Sequence, residues 1–127
     1  MIDHIVVNVR DLARSKALYA AALAPLGYRV VAEYGGGVGF GSGARADVWL
    51  WRRDPVATGT HVAILCGTRS MVDAFYAAAI KAGARDNGAP GPRLIYHPDY
   101  YGAFVLDPDG NNIEAVCHER TAPAQRK

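Results

Sequence analysis

The chain has 127 residues, half of them apolar and 20% charged, with 14 basic against 12 acidic side chains and a formal net charge of +2. That is one domain's length and a globular composition; the apolar content excludes a disordered chain, and the scatter of the cations, paired only at Arg52-Arg53 and Arg126-Lys127, gives no support to nucleic-acid binding. No apolar run nears the roughly 20 residues of a membrane helix, and MIDHIVVNV lacks the basic and long apolar regions of an export signal, so a cytoplasmic location without membrane contact is expected.

Residues 3–9 form a β-branched run of strand length, and Asp11 supplies a side-chain oxygen to cap a following helix. In that helix Ser15, Leu18, Tyr19, Ala22, Leu23 and Leu26 recur at the three-and-four spacing of one buried face, and Gly27 ends it. Three short strands are expected next, at residues 29–33, 37–40 and 46–51. The glycines among them do not make a nucleotide site. Gly39, Gly41 and Ala44 have the fingerprint spacing, yet a tryptophan-bearing strand follows where a phosphate-holding helix would have to start. Residues 53–59, with Asp54-Pro55 and Gly59, read as a short connection between two modules, 1–53 and 60–118, with a tail at 119–127.

The second module repeats the order of the first. Residues 60–66 are a strand, Thr68 a cap, and Val72, Phe75, Tyr76, Ala79 and Ile80 a helix face closed by Gly83. Further strands are expected at residues 93–96, 102–106 and 111–117. Between the last two, Asp107-Pro108-Asp109-Gly110 reads as a hairpin turn with its glycine left-handed; a calcium loop would need the glycine sixth and helices on both sides. His4 and His61 are 57 residues apart, as are Leu18 and Phe75, Tyr19 and Tyr76, and Ala22 and Ala79. One offset aligning a strand with a helix face predicts an α+β fold of two βαβββ modules. Cys66 and Cys117, each in an apolar strand, are expected to be buried free thiols.

Three metal-donor residues stand in otherwise apolar strands. His4 opens the first strand, His61 opens its counterpart, and Glu114 interrupts IEAV, where a lone buried carboxylate is costly without a cation, a metal or several donors. Two imidazoles and one carboxylate make the facial triad that binds a divalent first-row metal and leaves positions open. Strand alternation puts Val6, Asn8, Ala63, Leu65, Asn112, Val116 and His118 on the same faces, and turns Cys66 and Cys117 toward the helices.

DHIVVNVRDLARSKALYAAALAPLGY, the HVAI strand, VDAFYAAAIKAG and DPDGNNIEAV together resemble the vicinal oxygen chelate superfamily, which includes glyoxalase I, extradiol dioxygenases, fosfomycin-resistance proteins and bleomycin-resistance proteins. The resemblance covers residues 2 to about 118. It implies eight strands curled around a cavity with the helices outside, a homodimer, and one divalent ion (Fe, Zn, Ni, Co or Mn) on His4, His61 and Glu114. The position that carries a carboxylate ligand in glyoxalase I falls within Val48, Trp49, Leu50 and Trp51, none a metal donor, so the site resembles the three-ligand members instead. The potassium- and phosphonate-binding groups of the fosfomycin-resistance members have no match.

The implied activity is chelation of two adjacent oxygens of a small substrate, as a lyase, isomerase or dioxygenase. The other class is a dimeric drug- or metabolite-binding protein of the bleomycin-resistance kind, which needs no triad. Candidate substrate contacts are Asn8, Trp49, Trp51 and Arg93, the last able to clamp a carboxylate. Tyr96, His97 and Tyr101 are candidates for moving a proton. Packing of the tyrosines at the cavity mouth, a solvated Arg93, and a subunit contact through Trp49 and Trp51 account for the same residues equally.

Overall fold

In the computed structural model, which describes residues 1–120, the β-branched run near the N-terminus becomes strand β1 (Ile5–Val9), and Asp11 caps helix α1 (Leu12–Leu23) by accepting from the Arg14 N–H at 3.1 Å. A 3₁₀ turn over Ala24–Leu26 follows and Gly27 closes it at φ +84°, a conformation glycine adopts without strain. Strands β2 (Arg29–Tyr34), β3 (Gly37–Gly41) and β4 (Val48–Arg52) complete the first module. The second runs β5 (His61–Cys66), α2 (Arg69–Lys81), β6 (Arg85–Pro92), β7 (Tyr101–Leu106) and β8 (Asn112–Cys117). Thr68 caps α2, accepting from the Met71 N–H at 3.2 Å. The expected tail lies outside the described residues from 121 onward.

The eight strands form two four-stranded sheets, β1-β4-β3-β2 and β5-β8-β7-β6, rather than one continuous sheet. In each, the first and last strands of the module pair in parallel and the other pairs are antiparallel. The two parallel edges flank one cleft of about 440 Å³, lined by Ile5, Val6 and Val7 on one side and His61, Val62 and Ala63 on the other.

One face of each sheet buries against the helices. Val7, Val9, Leu50, Ile64, Cys66, Ala115 and Cys117 from the strands meet Leu18, Leu23, Val72, Phe75 and Ala79 from the helices in a single core that spans both modules. Each such Val, Leu or Phe contributes roughly 1.5–3 kcal/mol through burial. Neither helix is long and apolar enough to cross a membrane among the described residues. Polar groups seal the seam. The Tyr19 hydroxyl of α1 donates to Asp107 Oδ2 at 2.7 Å, and the buried Asn111 amide donates to Ala57 O at 2.9 Å while its oxygen accepts from the N–H groups of Gly59 and Thr60 at 3.0 Å. The DPDG turn thereby ties the connection and the first helix to the second module, with Gly110 at φ +89° as expected.

One strand is displaced from its expected position. Residues 93–96 are a turn, with the Tyr96 N–H donating to Arg93 O at 3.0 Å, and the strand lies earlier, over Arg85–Pro92. RDNGAPGP has no apolar alternation. It is held by antiparallel pairing to β7 at the sheet edge, where irregular register and proline are tolerated.

Candidate active site

Glu114 and His61 meet because β5 and β8 run parallel with Ala63 opposite Glu114 and His61 opposite Asn112, which puts both side chains on the face away from the helices. His61 Nε2 is 2.8 Å from Glu114 Oε1. The Tyr100 hydroxyl donates to the other oxygen, Oε2. Glu114 is 1% exposed, beneath Phe104, its cross-strand partner, whose ring lies 6.1 Å from that of His61; His61 itself is half exposed. Gly102 makes the room: a Cβ there would stand 3.2 Å from both Glu114 Oε2 and the Tyr100 ring. Burial, together with the hydrogen bond to Glu114 and that group's charge, holds the Tyr100 phenol above its ordinary pKa, so it keeps its proton.

The structure does not bring His4 to this pair. Its Nδ1 is 2.7 Å from Asp3 Oδ1, and this hydrogen bond, with the charge of Arg45, lowers the Asp3 pKa. His4, Asp3, Arg45 and Trp49 line a separate cleft of about 250 Å³. Among the described residues no group of three or more His, Cys, Asp or Glu side chains is placed to hold an ion. The pair itself fits one. Two ligands in adjacent positions on a first-row metal, with bonds of about 2.0–2.2 Å, stand about 3 Å apart, close to the His61–Glu114 separation.

The remaining sequence candidates divide. Tyr96 and His97 gather on Tyr100, with ring centroids 4.8 and 5.4 Å from it, and His97 Nε2 is 2.8 Å from His118 Nδ1. Tyr101 is on the opposite face, donating to Asp73 of α2 at 2.7 Å beneath Arg69, and is not at the site. Adjacent residues of a strand face opposite ways, so Tyr100 and Tyr101 cannot both reach Glu114. Arg93 is no free clamp: it donates to the carbonyls of Gly91, Pro92 and Ala89 and lies over Phe104. Asn8 donates to Pro55 O at 3.1 Å, tying β1 to the connection. Trp49 and Trp51 share the open face of the first sheet with Tyr34, which extends β2 one residue beyond the expected end at Glu33. The signal for Tyr34 was the Gly35-Gly36 step, a two-residue hairpin that pairs Tyr34 with Gly37.

The two βαβββ modules agree with what sequence comparison shows: residues 1–115 match the family model of the Glyoxalase/Bleomycin resistance protein/Dioxygenase superfamily, to which the chain belongs. It is similar to a glyoxalase/bleomycin resistance protein from Albidiferax ferrireducens T118, with 30% identity and a TM-score of 0.78 over 91% of this chain and 96% of that one. A lactoylglutathione lyase from Agrobacterium tumefaciens (16% identity, TM-score 0.68, 92% of each chain) shares the fold. So does the fosfomycin resistance protein FosX from Mesorhizobium loti (19% identity, TM-score 0.68, 92% of this chain and 91% of that one). No curated protein matches the sequence significantly.

Proposed function

We propose that the chain is a metal-dependent enzyme of the vicinal oxygen chelate type, working as a homodimer on a small substrate. The buried Glu114 carboxylate against His61 carries this reading, because a carboxylate so placed supplies a ligand at low cost once the His61 Nε2 gives up the proton it donates to Glu114 and offers the lone pair so freed to the ion. His61 and Glu114 of one chain, with His4 of a second copy, would hold the ion. When bound, it supplies Lewis-acid stabilisation of negative charge on two adjacent substrate oxygens. Tyr100 fixes the orientation of Glu114 through Oε2, and Tyr96 and His97, around Tyr100, are the groups within reach to carry a proton. Trp49 and Trp51 wall the substrate. Metal analysis of protein purified without chelator is expected to give about one divalent ion per chain and His61→Ala to remove it; unchanged metal content in that variant ends the proposal.

A second reading, a metal-free binding protein, is favoured by the exposed Tyr34 ring and the half-buried Trp49 and Trp51 rings beside it on the other sheet. The same analysis separates the two, since a pure binder purifies without stoichiometric metal.

A further inference from the structure

We propose that the open face of β2, β3 and β4 is a stacking platform for a planar aromatic ligand that carries a negative charge. This rests on the reading of Trp49 and Trp51 as ligand contacts, and not on the metal.

The rings of Tyr34, Trp49 and Trp51 lie within 22° of parallel, with centroids 5.7, 6.0 and 6.1 Å apart. Rings in face-to-face contact would be about 3.5–4 Å apart. These three are therefore near-parallel and offset from one another rather than face to face. Glycines set that posture. A Cβ on Gly37 would fall 2.5 Å from Trp51 Cδ2 and Cε2, and one on Gly39 would fall 3.0 Å from the same atoms of Trp49. Each indole thus lies over bare backbone of β3 with one π face down; the other face of Trp51 lies under the Arg53 guanidinium, and that of Trp49 is turned away from β3. Among the described residues no helix packs on this side, and Tyr34 is 63% exposed.

A surface of near-parallel tiles is complementary to a flat molecule of two or three fused rings, and a puckered saturated ring touches it only at a few hydrogens. The sign of charge follows from the borders. The Arg53 guanidinium carbon stands 4.6 Å from the Trp51 centroid, so one tile already holds a flat cation, and Arg53 has no acid partner among the described residues. At the Trp49 end the flanking cleft holds Arg45 and His4, and its one lining acid, Asp3, is engaged by both. A planar anion would stack on the Tyr34 and Trp49 rings and pair with Arg53 where it lies over Trp51.

Isothermal titration with naphthoate is the test, against decahydronaphthoate (same charge, no π face) and naphthamide (same rings, no charge). Naphthoate is expected to bind at least about fivefold more tightly than either. Tyr34→Ala, and Gly37→Ala, which lifts Trp51 without truncating any ring, are each expected to weaken naphthoate about two- to tenfold, the span of one aromatic contact. Arg53→Gln is expected to bring naphthoate down to the naphthamide level. Equal binding of the saturated analogue, no binding of naphthoate at millimolar concentration, or native affinity in both Tyr34→Ala and Gly37→Ala overturns the proposal. So does an affinity that disappears as the chain dimerises in sedimentation, which would make the tiles a subunit contact. Chelator-treated protein is expected to bind naphthoate as untreated protein does, so this proposal and the metal reading fail separately.

Discussion

Glu114 is tolerated in the interior because each of its oxygens meets one donor, His61 on one side and Tyr100 on the other. Removing the phenol hydroxyl leaves one oxygen of a buried carboxylate unpaired, which costs about 1.5–3 kcal/mol for a charged group. Tyr100→Phe is therefore expected to lower the stability of chelator-treated protein by that amount in urea denaturation, and an unchanged midpoint would mean that water replaces the hydroxyl. The acid is legible in the sequence because a carboxylate in an apolar strand is costly alone, and His61 only because it recurs with His4 at the repeat offset. Their partner was not singled out. Period-two alternation separates Tyr100, on the face of Gly102 and Phe104, from Tyr101 on the face of Ala103, but fixing the phase needs the register with β8, which pairs Phe104 with Glu114 and Tyr101 with Cys117.

At the scale of elements, the helices were readable from their caps and apolar faces, and Asp11, Thr68, Phe75 and Ala79 do what their spacing implies. β6 was not, since RDNGAPGP has the composition of a loop and is a strand only through β7. The parallel pair β5 and β8 sets Cys66 opposite Cys117 on the helix face. Burial, then the neighbouring Cys117, pushes the Cys66 thiol up from 9.0 to about 11. The folded chain therefore holds this proton more tightly than the unfolded chain, so the stabilisation is complete below about pH 9 and is lost as the pH climbs through about 11. Melting temperatures measured across that interval are expected to fall, and to fall less steeply in Cys66→Ala. The slope remaining above it includes Tyr28, which burial and its hydrogen bond to Asp47 push up to about 12.

For the whole molecule, the 57-residue offset announced two copies of one module, and both are present. How the two sheets sit against each other could not be read, because residue spacing records which face of a strand is buried and not which sheet edge lies beside which. His4 and His61, equivalent in the repeat, stand in different clefts for that reason. Tyr19→Phe removes the hydroxyl that α1 offers to Asp107 and is expected to cost about 1.5–3 kcal/mol while leaving a single calorimetric transition; two resolved transitions would show that the modules melt apart. The twin tyrosines have diverged in whom they serve. Tyr76 donates to Asp86 inside its own half, at 2.9 Å, whereas Tyr19 reaches into the other half. A half-length ancestor would have had to find that acceptor on a separate molecule, at the mercy of concentration. In this chain the acceptor that Tyr19 needs is covalently joined to it, so the contact forms at any dilution.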